Sequence, residues 1–117
     1  MKKFRVFALV LAVMMLFSSV ALAYEYSWRY SSSTLKKGHG GSNSSHLRPY
    51  VANVQGDVNY SGKGNCGSVD GIYGNNTVSG VKSYQRKTSG LSVDGQTGYN
   101  TKTSLYSFGQ YLSQWSY

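Results

Sequence analysis

The stretch Val69-Asp70-Gly71-Ile72-Tyr73-Gly74-Asn75-Asn76-Thr77 returns 24 positions later as Val93-Asp94-Gly95-Gln96-Thr97-Gly98-Tyr99-Asn100-Thr101. Six of the nine positions are identical, which is hard to obtain by chance in a chain of 117 residues. The Asp of each copy can accept hydrogen bonds from backbone N–H groups ahead of it. The Gly that follows allows a positive φ angle. We therefore predict that each copy is a turn that starts a helix, and we name them the first VDG turn (residues 69–77) and the second VDG turn (residues 93–101).

Three predicted helices surround these turns. An apolar stripe at spacings of four and three residues indicates a first helix from Leu47 to about Asn59. The second helix is predicted from about Thr77 to Lys87, capped by Asn75 or Asn76, and the third from about Thr101 to Leu112. The predicted fold class is therefore all-α, a small three-helix bundle with two VDGxxG turns.

The N-terminus has the pattern of a secretory signal peptide over residues 1–23. Cations at Lys2, Lys3 and Arg5 precede an apolar run of eleven residues, and Ala21-Leu22-Ala23 is a typical cleavage signal. We predict cleavage between Ala23 and Tyr24, and a secreted or cell-wall location. Residues 24–45 are rich in Ser, Gly and aromatic residues and predict a flexible tail or linker. The folded domain is then expected over residues 46–113.

The motifs together resemble the bacterial peptidoglycan-binding domain of the three-helix, PGBD-like type. Besides the two turns, the similar segments are Val51-Ala52-Asn53-Val54-Gln55, Val81-Lys82-Ser83-Tyr84-Gln85 and Gly90-Leu91-Ser92-Val93-Asp94-Gly95, followed by Gly98, Thr101 and Leu105. The resemblance extends from about Leu47 to Leu112. It implies a non-catalytic module that binds peptidoglycan, by its glycan strand or its stem peptide, in a shallow groove beside the first turn and the second helix.

Candidate ligand-binding residues follow from the chemistry near that groove. They are Tyr73, Asn75, Asn76, Gln85, Arg86 and Lys63. Tyr73 could stack on a sugar ring or plug the end of the core, and the sequence leaves both open. The two Asn side chains could bond a ligand or cap the helix, and Gln85 could bond a ligand or the backbone of a turn. The two cations could meet wall anions or form a solvated basic face.

The charge of the chain favours an anionic surface as partner. The formal net charge is +8, and loss of the three cations of the signal peptide lowers it to +5. An exported basic domain suits a bacterial wall, so teichoic acids are a further candidate partner, whereas nucleic acid is not expected. We expect a monomer. An alternative is a secreted interaction protein on the same fold that binds or modulates a cell-wall hydrolase.

Catalysis, a metal site and a cofactor are not expected. The one suggestive pair of carboxylates, Asp70 and Asp94, is already explained by the two turns. Cys66 with His39 and His46 offers neither a rigid nucleophile site nor enough well-spaced ligands for zinc. A single cysteine in an exported chain forms no intramolecular disulfide, so Cys66 is expected to be a tolerated thiol in a loop or an intermolecular link.

Overall fold

The computed structural model describes residues 29–109. Its elements are a 3₁₀ helix at Ser42–Leu47 and three α-helices, α1 (Arg48–Ser61), α2 (Asn75–Arg86) and α3 (Tyr99–Gly109). Over residues 29–109 there is no β-strand, and an antiparallel bridge joins Leu35 to Thr97. The predicted all-α class is confirmed. No helix within these residues is long and apolar enough to cross a membrane.

Helix α1 is the centre of the bundle, since it contacts the 3₁₀ helix, α2 and α3. The predicted apolar stripe of α1 is buried, and side chains from both other helices pack against it. The fully buried apolar and aromatic residues that the three helices contribute to this core are Val51, Val54, Val58, Val81, Tyr84 and Leu105. Burial of each such side chain contributes about 1.5–3 kcal/mol of hydrophobic stabilisation.

Two helix starts differ from the sequence prediction by two residues. The N-cap of α2 is Gly74, with extended backbone and no side-chain capping bond. The prediction that Asn75 or Asn76 caps this helix is therefore wrong, because both lie inside its first turn. Helix α3 likewise begins at Tyr99. Its predicted end near Leu112 lies outside the described residues.

The loop between α1 and α2 packs against α2 at Gly80. A Cβ atom added to Gly80 would lie 2.6 Å from the Sγ atom of Cys66 and 2.8 Å from the carbonyl oxygen of Asn65. Glycine inside a helix lowers the stability of the helix by about 1 kcal/mol relative to alanine. At this position the missing side chain is what allows the loop to approach the helix closely. Cys66 lies in this loop, as predicted, but it is buried, which the sequence did not indicate.

Residues 29–41 form an ordered segment that we call the N-terminal strap. Tyr30 and Leu35 of the strap are fully buried in the hydrophobic core. The strap pairs with both VDG turns at equivalent positions: Leu35 exchanges N–H···O bonds of 3.1 and 2.8 Å with Thr97, and Tyr73 bonds the backbone of Gly38 and His39, both at 2.9 Å. The flexible tail predicted for residues 24–45 is therefore wrong from residue 29 onward. Residues 24–28 and the predicted signal peptide lie outside the described residues.

A buried ion pair anchors the start of the strap to α1. The guanidinium of Arg29 donates to both carboxylate oxygens of Asp57, at 2.7 and 3.0 Å, and the Tyr30 hydroxyl donates to the same carboxylate. The Asn53 side chain donates to the Arg29 carbonyl at 2.8 Å. From α3, the Lys102 ammonium donates to two carbonyls of the strap. Burial lowers the pKa of Lys102.

Candidate functional site

The first VDG turn is organised by a glutamine of α1. Gln55 accepts a hydrogen bond from the Gly71 N–H at 2.9 Å, and its amide donates to Asp70 Oδ1 at 3.0 Å. The same amide donates to the carbonyl of Ile72 and the hydroxyl of Thr77. Asp70 Oδ1 also accepts the Ile72 N–H at 2.9 Å. These bonds fix the turn backbone and the first turn of α2 against α1.

The second VDG turn repeats this network with a glutamine of α2. Gln85 accepts bonds from the N–H groups of Asp94 and Gly95, at 3.1 and 3.0 Å. Its amide donates to Asp94 Oδ1, the Gln96 carbonyl and the Thr101 hydroxyl. Asp94 Oδ1 accepts the Gln96 N–H at 2.9 Å. The predicted roles of Asp70 and Asp94 as turn acceptors are thus confirmed.

A cleft of about 230 Å³ opens beside the first VDG turn. One wall is the turn with the start of α2, and the other is the end of the preceding loop. Its lining residues are Gln55, Cys66, Ser68, Asp70, Ile72, Gly74, Asn75, Asn76 and Thr77. The cleft lies where the resemblance implies a shallow groove.

Asn75 and Asn76 are the predicted ligand residues that line this cleft. Both are exposed, and neither side chain makes a hydrogen bond within residues 29–109. An amide offers two donors and a carbonyl acceptor. The two side chains are therefore free to bond a polar ligand.

Tyr73 does not face the cleft. It is 1% exposed, and its hydroxyl donates to the Gly95 carbonyl at 2.7 Å and lies 3.0 Å from the Thr97 hydroxyl. Burial raises the pKa of this phenol. Of the two roles that the sequence left open, the structure therefore selects the core role, and the proposal that Tyr73 stacks on a sugar is wrong.

Gln85 is likewise a structural residue. It is buried, and both ends of its amide are taken up by the second VDG turn described above. Its assignment as a ligand-binding residue is therefore wrong. The role that the sequence allowed as an alternative, bonding the backbone of a turn, is the one observed.

Lys63 and Arg86 lie away from the cleft, near the C-terminal half of α2. The Lys63 ammonium lies 5.8 Å from the centre of the Tyr84 ring, and the Lys63 carbonyl accepts the Ser83 hydroxyl at 2.8 Å. Arg86 is exposed at the last position of α2. The helix rise puts it about 16 Å from Asn75. The remaining predicted ligand residues thus form two groups. Asn75 and Asn76 lie at the start of α2, and Lys63 and Arg86 lie near its C-terminal half.

The sequence did not lead us to predict that Gln55 holds the first VDG turn in place. A signal was present, since Gln55 follows the core residue Val54 as Gln85 follows the core residue Tyr84. Asp70 was assigned only to the turn, yet it also lines the cleft. Hydrogen bonds from Gln55 and the Ile72 N–H lower the pKa of Asp70, so this wall of the cleft is anionic at neutral pH.

Metal-binding chemistry is not supported by the described residues. Within residues 29–109 no group of three or more His, Cys, Asp or Glu side chains is arranged to hold a metal ion. Burial raises the pKa of the Cys66 thiol to about 12. A thiol that stays protonated is a poor metal ligand and a poor nucleophile.

Comparisons with known proteins agree with this geometry. The family model of the peptidoglycan binding domain matches residues 49–105. A solved structure, the SleB N-terminal domain, is similar with a TM-score of 0.54 and 31% sequence identity, over 67% of this chain and 94% of that one. No curated protein matches the chain. The chain belongs to the peptidoglycan-binding domain family.

Proposed function

We propose that this protein is an exported, non-catalytic module that binds cell-wall peptidoglycan in the cleft beside the first VDG turn. Family membership supports the choice of polymer. The observation that carries the choice of site is the pair of unbonded amides, Asn75 and Asn76, on the lip of a cleft with a rigid wall.

The wall polymer matches the polar groups of this cleft. Peptidoglycan presents amide groups along its stem peptides and on its sugars, and an amide side chain can pair with each of them. The turn behind the two asparagines is held by buried bonds to Gln55, so the cleft is preorganised. Preorganisation lowers the entropic cost of binding.

Export is supported by the sequence alone, through the signal-peptide pattern of residues 1–23. Mass spectrometry of the secreted protein tests it, because the mature chain should begin at Tyr24. Absence of catalysis is supported by the acidic residues of the range 29–109, each of which has a structural role. Asp57 is buried in an ion pair, and Asp70 and Asp94 accept bonds within their turns.

Teichoic acids are a second proposed partner, through charge. Arg86 and Lys87 are exposed at the end of α2, and neither pairs with an acidic group of residues 29–109. An exposed cation pair of this kind attracts phosphate polymers weakly, and salt screens the attraction. The alternative function, modulation of a wall hydrolase, would use the aromatic residues of the N-terminal segment as a contact surface. This alternative is weakened because Tyr30 of the N-terminal strap is buried in the core.

Co-sedimentation of the chain from residue 24 onward with purified sacculi tests the proposal. Sacculi are used before and after removal of teichoic acids, at low and high salt. Binding that survives both treatments supports peptidoglycan recognition. Binding lost after either treatment would mean that charge accounts for it, and the peptidoglycan proposal would be rejected.

A double variant, Asn75→Ala with Asn76→Ala, then tests the cleft. Alanine has the highest helix propensity, so lost binding is not a sign of a lost helix. The matched control is Asn43→Ala, an exposed asparagine of the 3₁₀ helix that does not line the cleft. We expect weaker binding to stripped sacculi for the double variant alone. Equal binding by all three proteins would overturn the choice of site.

A further inference from the structure

We infer that the second VDG turn forms a second wall-binding site, centred on Tyr99, which stacks on the sugar rings of the glycan strand. The inference rests on the proposed function, because it adds a contact with the same polymer. It starts from the internal repeat of the fold, which duplicates the frame of the first cleft.

The frame is duplicated at the level of individual hydrogen bonds. In both turns a buried glutamine binds the aspartate, a backbone carbonyl two residues later and the threonine hydroxyl of the next helix. The start of α3 is therefore held on its turn as the start of α2 is held on the first turn. Residues on the outer surface of the two turns correspond at an offset of 24 positions.

The exposed residues of the two VDG turns differ in chemistry, although the buried hydrogen bonds beneath them are the same. Asn75 of the first cleft corresponds to Tyr99, which is 57% exposed and is the most exposed large hydrophobic residue described. Asn76 corresponds to Asn100, and exposed Ile72 corresponds to exposed Gln96. The side chains of Gln96 and Asn100 make no hydrogen bond within residues 29–109.

This combination suits a sugar. The flat face of a tyrosine ring packs against the C–H groups of a pyranose, while flanking amides bond hydroxyl and acetamido groups. Tyr30, Tyr73 and Tyr84 are buried in the core, whereas more than half of Tyr99 is exposed to solvent.

The two sites also differ in enclosure. Cys66 walls the first cleft, whereas the Cβ position of Gly90, in the loop before the second turn, has no heavy atom within 4 Å. On the other side the strap runs alongside, with the Thr34 hydroxyl 3.8 Å from the Cβ position of Gly98. The loop before the second turn therefore leaves open space at Gly90, and an open surface suits the face of a sugar ring.

The test uses peptide-free glycan strands, prepared from sacculi by an amidase, as the probe. Binding of the chain from residue 24 onward is measured by titration, for the unchanged chain and for Tyr99→Ser, Tyr99→Trp and Tyr60→Ser. Tyr60 is the matched control, because it is 55% exposed and lies near the end of α1, outside both turns. We expect Tyr99→Ser to bind about tenfold more weakly, and Tyr99→Trp and Tyr60→Ser to bind as the unchanged chain does.

Each outcome is decisive. If the unchanged chain binds stripped sacculi but not the free glycan, or if Tyr99→Ser binds the glycan normally, the second site is rejected and the proposed function stands. If Tyr60→Ser loses as much as Tyr99→Ser, the effect is not specific to the turn and the inference fails. If the unchanged chain does not bind stripped sacculi, the proposed function itself fails. Thermal unfolding of each variant identifies any loss of binding that comes from loss of fold.

Discussion

The hydroxyl groups of Tyr73 and Thr97 lie 3.0 Å apart in the core, at the same position of the two VDG repeats. The Tyr73 hydroxyl also donates to the Gly95 carbonyl at 2.7 Å. The two turns are thus joined directly by a buried side chain of one and the backbone of the other. The strap pairs with the backbone of the same two residues, on the outer side of this contact. The repeat therefore forms one unit of two locked turns.

Removal of the Tyr73 hydroxyl should loosen this contact. We predict that Tyr73→Phe lowers the free energy of unfolding by about 1–3 kcal/mol, because the Gly95 carbonyl and Thr97 hydroxyl lose a buried partner. Urea denaturation measures the loss. Tyr60→Phe, which removes the hydroxyl of an exposed ring, is the control and should change stability little. Equal effects of the two changes would contradict the buried contact.

A side chain at Gly71 should disrupt the first VDG turn. Its φ angle is +78°, and a Cβ atom would lie 2.9 Å from the Arg48 carbonyl oxygen. Gly90 has a φ angle of +87° with nothing near its Cβ position, so it carries the strain without the clash. We predict that Gly71→Val lowers the melting temperature clearly more than Gly90→Val, since a β-branched residue is strained at both. A Gly71→Val variant with unchanged melting temperature would refute the turn geometry.

The ion pair between Arg29 and Asp57 should hold the strap in place. Arg29→Ala leaves a buried carboxylate without its partner, and we expect a loss of about 3–5 kcal/mol in the free energy of unfolding. The double change Arg29→Met with Asp57→Leu removes both charges and should recover much of the loss. Arg86→Ala, at an exposed cation, is the control. Full stability of Arg29→Ala would mean that the strap is not anchored as described.

Cys66 should be unreactive in the folded protein. It is 2% exposed, and burial raises its pKa to about 12, so the thiolate is scarce at neutral pH. We predict slow alkylation by iodoacetamide in buffer, fast alkylation in urea, and no covalent dimer on a non-reducing gel. The urea reaction is the internal control. Rapid alkylation of the folded protein would contradict the burial of this thiol, and a disulfide dimer would restore the intermolecular role that the sequence left open.

The Asp70 carboxylate should make stability depend on acid pH. Bonds from Gln55 and the Ile72 N–H lower its pKa in the folded state below the ordinary value of 3.8. The folded state therefore binds its proton less readily than the unfolded chain does. This contribution is present above about pH 4 and is lost as the pH falls through the folded pKa. We predict a flatter acid limb of stability against pH for Asp70→Asn, measured by urea denaturation between pH 2 and 5. An unchanged limb would rule out this role.

The helices and turns could be read from local sequence because the interactions that form them are local. The stripe of Val51, Val54 and Val58 follows the helical period, and all three residues are buried. The caps could not be read in the same way. Asparagine is a good N-cap in general. Here Gln55 bonds the Ile72 carbonyl, and the N-cap position falls on Gly74, one residue before the first asparagine.

The strap and the role of Tyr73 required the tertiary structure. Arg29 meets Asp57 at a separation of 28 residues, and Lys102 meets the carbonyl of Ser31 at a separation of 71. A glycine- and serine-rich composition predicts flexibility because it considers each residue alone, without distant partners. For the same reason the sequence could offer Tyr73 two roles but could not choose between them.

The sequence by itself determined the repeat, the helical class, the family resemblance and the positions of the two turns. Each of these can be recognised from the period of the apolar residues or from the residues that a turn requires at fixed spacing. Only the tertiary structure decided which polar side chains are consumed within the fold and which remain free at its surface. Gln55 and Gln85 are buried by neighbours from other parts of the chain, whereas Asn75 and Asn76 remain exposed beside a cleft. Burial is a property of the packed chain, because it depends on what distant residues place over each side chain.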